Sequence, residues 1–256
     1  MYRPRLIPVL LLHNLGLVKS TKFTKNRYIG DPINAVKIFN DLEADELIFL
    51  DISANLANKC ISLDFVKKVG LEANMPFSVG GGIKTLNEIE SIINCGSEKI
   101  VLNTHAYSDS SLVHKASKAF GSSTIAVSMD VKKTFFRGDK VFVCSGSKST
   151  GLNPVEYAKY IEDQGAGELI VNSIDRDGTM KGYDIDLIKQ ISESVSIPVV
   201  ALGGAGTMRD FVQAIEEGCA SAVAAGSFFV YHGPRKAVLI KYPTKEELKR
   251  MIRELS

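Results

Sequence analysis

Two glycine-rich stretches, Gly80-Gly81-Gly82 and Gly203-Gly204-Ala205-Gly206, are built to let backbone approach an anion. Without a Cβ, successive N–H groups converge on a phosphate, and the N-terminus of a following helix adds positive potential. Nearby segments enlarge each stretch. Asn103-Thr104 joins the first, while Asp177-Gly178 and Ala225-Gly226-Ser227 join the second. The pattern predicts two phosphate sites, one at Gly81, Gly82, Asn103 and Thr104 and the other at Asp177, Gly178, Gly204, Ala225 and Gly226. A ligand with two phosphate ends would span them. The cysteines Cys60, Cys95, Cys144 and Cys219 form no C-x-x-C pair and lie near no His at zinc spacing, so no metal site is expected.

The elements that must position these groups repeat. Glu46 and Glu168, Pro76 and Pro198, and Gly96 and Gly218 head matching segments at one constant offset of 122 residues. Short β-branched runs alternate with amphipathic stretches, which implies parallel strands joined by helices. Strands are expected near 5–12, 47–52, 76–80, 99–103, 124–130, 168–173, 198–202 and 221–225, with helices between them. Asp31-Pro32 and Asn153-Pro154 each place a cap before a Pro at the first helical position. The segment 134–148, with Phe135, Phe136, Val141 and Phe142, reads as a β-hairpin after the fifth strand. Thr244 to Met251 reads as a terminal helix, about 244–254, opened by a capping box. The expected fold is α/β: a single (β/α)8, or TIM, barrel over residues 1–256, made of half-barrels at about 1–122 and 123–240. The chain has 256 residues, and such a barrel needs about 250.

Composition narrows the function. Charged residues are 23%, the net charge is +2 and the pI is near 8.2, which gives no reason to expect nucleic acid or an anionic membrane as partner. The apolar run Leu6–Leu12 is interrupted by Pro8 and is followed by no small-residue cleavage site, so a first barrel strand is expected rather than a signal segment. No apolar stretch approaches a membrane span. A cytoplasmic protein with reduced thiols is the expectation.

Phe77-Ser78-Val79-Gly80-Gly81-Gly82-Ile83, Ser173-Ile174-Asp175-Arg176-Asp177-Gly178-Thr179 and Gly203-Gly204-Ala205-Gly206 resemble the cyclase subunit family of imidazole-glycerol-phosphate synthase. Leu50-Asp51-Ile52 and Gly30-Asp31-Pro32 do too, and the resemblance runs from about residue 3 to about residue 230. It implies a lyase-type barrel without a cofactor, paired as a heterodimer with a separate glutaminase subunit. That partner supplies ammonia through the barrel to a phosphorylated ribulose-containing substrate. The products would be imidazole glycerol phosphate and an aminoimidazole carboxamide ribotide.

The resemblance also assigns residues. Arg5, Glu46, Lys99 and Glu168 match an ammonia gate at the barrel bottom, and each stands at a strand start where inward-facing charges can pair into a ring. Lys19 matches a phosphate contact. The family transfers protons with one Asp at the end of strand 1 and another at the end of strand 5. Asp130 supplies the second, but Leu11 stands at the first, and His13-Asn14-Leu15-Gly16 replaces charged residues after it. Losing one such group typically costs 10²–10⁴ in rate. Two readings stay open: a cyclase subunit, native or with a shifted substrate, or a docking subunit that channels ammonia for amidation of a surface-polysaccharide sugar. Paralogues with an apolar first strand accompany glutaminase-like partners in such pathways.

Overall fold

The computed structural model describes residues 4–135 and 137–254, with the side chains of Ile252 and Glu254 left aside; Phe136 lies outside the described residues. In chain order the elements are β1 (Arg5–His13), β2 (Gly16–Thr21), β3 (Thr24–Gly30), α1 (Pro32–Asp41), β4 (Leu47–Asp51), α2 (Leu63–Glu72), β5 (Phe77–Gly80), α3 (Leu86–Asn94) and β6 (Lys99–Leu102). Then come α4 (Thr104–Ser108), α5 (Leu112–Phe120), β7 (Ile125–Thr134), β8 (Gly138–Val143), β9 (Lys148–Ser149), α6 (Pro154–Asp163), β10 (Glu168–Ser173) and α7 (Ile185–Ser192). The rest are β11 (Val199–Leu202), α8 (Met208–Glu216), β12 (Ala222–Ala225), α9 (Ser227–Val230), β13 (Tyr231–His232), β14 (Ala237–Val238) and α10 (Lys245–Glu254).

Eight strands close on themselves in the order β1, β4, β5, β6, β7, β10, β11, β12 and back to β1, every neighbour parallel. This is the (β/α)8 barrel that the repeat predicts. Alternation along β1 sorts its side chains. Leu6, Leu10 and Leu12 pack outward beneath the helices with Phe39, Phe49 and Phe229, whereas Ile7, Val9 and Leu11 point into the barrel with Ile48, Ile170 and Ala224. A strand buried on both faces needs an unbroken apolar run, which is why the start of β1 mimics a signal segment.

The repeat reaches the helix caps. The Asp31 and Asn153 side chains accept from the N–H groups of Asn34 and Val155 at the starts of α1 and α6, each with Pro in the first turn. Thr85 with Glu88 and Thr207 with Asp210 form complete capping boxes for α3 and α8. Asn40 accepts from the Asn74 N–H, and Glu162, 122 residues later, accepts from the Ser196 N–H. Sequence and contacts therefore duplicate together.

The connections after the strands differ from the expected plain helices. β1 turns back into the antiparallel ribbon β2–β3 before α1 begins. The hairpin after the fifth barrel strand also differs in register. β7 itself continues past the barrel rim to Thr134, and β8 pairs with that extension from Asp130↔Phe142 to Thr134↔Gly138. The ribbon thus begins inside the strand, because β7 runs on past Asp130 and β8 pairs with it from that residue outward. α10 opens on the expected box, Thr244 and Glu247 each accepting from the other's N–H.

Candidate active site and channel

The bottom of the barrel carries a closed ring of charge. Arg5 donates to Glu46 at 2.5 Å and to Glu168, and Lys99 donates to Glu168 at 2.8 Å and stands 3.9 Å from Glu46. Both carboxylates are buried, and Ser78 donates a further hydrogen bond to Glu46 at 3.0 Å. Burial works against the charge of Arg5, yet Glu168 and Glu46 together raise its pKa. All four residues that the sequence pairs therefore meet, each anion answered by two cations. Above the ring, Ile7, Ile48, Ala126, Ile170, Val200, Ala222 and Ala224 fill the interior with apolar surface.

The other end opens into a cavity of about 330 Å³, lined by residues from both halves of the barrel. Gly81, Gly82, Asn103 and Thr104 all line it. Gly82 has φ +64, and a Cβ there would collide with the Lys59 carbonyl, so the loop closes only with glycine. Among the described residues, nothing accepts from the N–H groups of Gly81 and Gly82. Thr104 accepts from the Cys144 N–H at 3.0 Å, which ties the hairpin after β7 to this corner.

The second predicted group is arranged differently. Lys19, Asp177 and Gly226 line the cavity, whereas Gly178, Gly204 and Ala225 do not. Lys19 is buried on β2, donates to the Val9 carbonyl at 2.5 Å and stands directly over Gly226. Burial lowers its pKa to about 8, with Asp177 opposing the shift. Burial likewise raises Asp177 to about 6 against the pull of Lys19, and its Oδ2 is buried with no hydrogen-bond partner among the described residues.

Asp130 lies between these corners on β7 and is only 7% exposed. It accepts from Nδ2 of Asn103 at 2.9 Å and of Asn172 at 3.1 Å. Burial pushes its pKa up to about 7, with Asp177 adding to the shift and the two amides opposing it. Such a group serves as acid or base near neutrality. Across the mouth, Leu11 pairs with Leu50 on β4 and Val18 on β2, and it presents only carbon to the cavity. His13 lines the same cavity. The roof comes from two ribbons, since Gly146 beyond β8 packs so closely on Phe23 that a Cβ there would lie 2.7 Å from the ring.

The profile of the histidine biosynthesis protein family matches residues 5–234. The chain belongs to that family. A Pseudomonas aeruginosa protein, provisionally named as an imidazole glycerol phosphate synthase subunit, is 46% identical over 248 residues, covering 97% of this chain and 99% of that one. A Leptospira interrogans protein with the same provisional name is 43% identical over 96% of this chain and 98% of its own. The imidazole glycerol phosphate synthase subunit HisF of Alkaliphilus metalliredigens is 40% identical over 91% and 92%. The resemblance to the cyclase subunit thus holds along the whole family match. Among the described residues no cluster suits a metal ion, and no helix is long and apolar enough to cross a membrane.

Sequence reasoning passed over Asn172 and His105. The repeat register held a signal for Asn172, since its counterpart 122 residues earlier is Leu50. His105 is a half-buried imidazole beside Thr104, its pKa lowered by burial and then by Lys84.

Two outcomes are expected. Inorganic phosphate should perturb the amides of Gly81 and Gly82 in NMR spectra, and Gly82→Ala should abolish that perturbation; a wild type silent at both amides would exclude an anion there. The second concerns pH. The folded pKa of Asp130, about 7, lies above its unfolded value near 4. The stability it contributes is therefore full below pH ~4 and is lost as pH rises through about 7. Urea melts should show Asp130→Asn gaining on wild type between pH 5 and pH 8 by on the order of a few kcal/mol. A difference that does not change with pH would refute the assignment.

Proposed function

We propose that this chain is the cyclase-type barrel of an imidazole-glycerol-phosphate-synthase-like complex, taking ammonia from a separate glutaminase subunit and using it at the mouth on a phosphorylated acceptor. The observation that carries the reading is the closed ring of Arg5, Glu46, Lys99 and Glu168 beneath an apolar interior. A buried four-charge ring is a costly way to stabilise a barrel, because well-packed apolar residues often do as well or better. It makes sense as a selective entrance on the face where the glutaminase docks. The family match over residues 5–234 and the relatives' names support the same reading.

In the family reaction, ammonia adds to the ribulose-containing substrate, and ring closure and cleavage follow, which requires protons to move on two faces of the substrate. Asp130 serves one face, poised near neutrality. The corner at Gly81, Gly82, Asn103 and Thr104 would hold one phosphate, and Lys19 with the loops carrying Gly178, Gly204, Ala225 and Gly226 would hold the other.

Leu11 favours a second reading. No titratable group stands at that position, and the imidazole of His13 lies two residues further along the strand. A barrel with an intact entrance and half an acid–base pair suits delivery of ammonia to another acceptor, such as a surface-polysaccharide sugar awaiting amidation.

Two measurements test these readings. Steady-state turnover of the histidine-pathway biphosphate with free ammonia should be at least about 10²-fold below that of Leu11→Asp. Wild type as fast as the variant would remove the support for pure delivery. Mixed with a glutaminase subunit of an imidazole-glycerol-phosphate synthase, the chain should elute as a heterodimer in size-exclusion chromatography. Two folded proteins that elute separately would contradict the docking role.

A further inference from the structure

The seam between β1 and β4 stops short at the barrel bottom. β1 pairs with β4 only from Val9↔Ile48 to Leu12↔Asp51, although it pairs with β12 from Arg5 onward. The matching seam of the second half, β7 against β10, runs two pairs deeper, to Glu168↔Ala126. Beneath that pair the Gly167 N–H still donates to the Ile125 carbonyl at 2.9 Å. Carried downward, the β1–β4 register brings Glu46 level with Ile7 and Asp45 level with Leu6. Asp45 and Leu6 are therefore the counterparts of Gly167 and Ile125. Pro8 accounts for the gap. Leu12 accepts from the Ile52 N–H, so by alternation Leu6, Pro8 and Leu10 also turn their backbone groups toward β4. Pro8 has no N–H to give, which leaves the ladder incomplete at its level.

A side chain stands where the last bond would be. The Tyr242 hydroxyl accepts from the Asp45 N–H at 3.2 Å and donates to the Leu6 carbonyl at 2.9 Å. One phenol oxygen thus separates the donor and acceptor whose counterparts bond directly in the second half. The Asp45 carboxylate takes the Leu6 N–H at 3.0 Å. Tyr242 is buried, and its ring stacks on Phe229 with centroids 5.5 Å apart. It lies in the C-terminal segment, beyond the family match that ends at residue 234.

Leu6 and Asp45 adjoin Arg5 and Glu46 in the chain, so the width of the seam here sets how the Arg5 guanidinium meets the Glu46 carboxylate. We propose that Tyr242 is a positioning residue of the charged ring: its hydroxyl, inserted between the Asp45 N–H and the Leu6 carbonyl, parts the lower β1–β4 seam and holds Arg5 in register with Glu46. The ring's meaning as an entrance for ammonia rests on the function proposed above. Without the hydroxyl, the Asp45 N–H and the Leu6 carbonyl must close on each other or stay unpaired. Closure draws the starts of β1 and β4 together and shifts Arg5 against Glu46. Glu168, the other anion of the ring, sits in a complete ladder and needs no such support. The sheet places one carboxylate, and a tyrosine from the C-terminal segment places the other.

The test follows the Arg5 guanidinium by 15N NMR in the full chain. In wild type Glu46 and Glu168 hold its two Nη groups, so their protons should be resolved and slow to rotate. Tyr242→Phe keeps the stacked ring and removes only the hydroxyl. It should displace or collapse the Arg5 signals while the amides of the β7–β10 ladder stay in place. A variant of lower thermal stability with wild-type Arg5 signals would make Tyr242 merely structural and overturn the proposal. Wild type gives a check that needs no variant. Its Tyr242 hydroxyl proton should exchange slowly with water and show a cross-peak to the Asp45 amide; a hydroxyl in fast exchange also overturns the proposal. Association with a glutaminase subunit is measured separately. A chain whose Arg5 signals respond to Tyr242→Phe but which binds no glutaminase keeps the positioning role and loses the entrance reading.

Discussion

Two carboxylates, Glu46 and Glu168, sit buried at the bottom of the barrel, and the fold tolerates them because Arg5 and Lys99 both face both of them. An unpaired charge there would cost several kcal/mol. The pairing draws on β1, β6, β10 and the residue before β4, so it ties together elements from both halves of the chain. It also sets the chemistry of everything above it. Once charge is confined to one layer, the next layer can be purely apolar, and polar groups return only at the mouth.

At the mouth the two halves are no longer equivalent. Their capping boxes and Pro-led helices match position for position. Yet the first half offers Leu11 and Leu50 where the second offers Asp130 and Asn172. The mouth therefore carries two leucines at one pair of strand ends and, at the corresponding pair, a carboxyl held between two amides. The duplicated backbone gives shape, and departures from the repeat set the chemistry of the mouth.

Much of this was legible in the sequence, for physical reasons. Offset motifs predict strands because each strand must bury the same pattern, and Asp31-Pro32 and Asn153-Pro154 announce helix starts because caps satisfy exposed N–H groups. The charged ring was readable through the family resemblance, with which the place of Arg5, Glu46, Lys99 and Glu168 at the starts of apolar strands agrees. The ribbon β2–β3 was not readable. The side chains of β3 from Thr24 to Tyr28 are all exposed, so no apolar alternation marks it. Asn172 was hidden by its place in a motif whose recognised residues begin just after it. The burial that moves Lys19, Asp130 and Asp177 from their ordinary pKa values is a property of the closed mouth and has no local signature.

Gly146 and Phe23 meet over the cavity, one from the ribbon after β7 and the other from the ribbon after β1. These ribbons follow the first strand of each half, and their contact joins the halves across the mouth rather than around the wall. A length change in one ribbon would leave the other reaching for a missing partner. Descendants of this chain should therefore insert or delete residues in both ribbons together, so that the roof drifts as one inherited unit while the strands beneath it stay fixed.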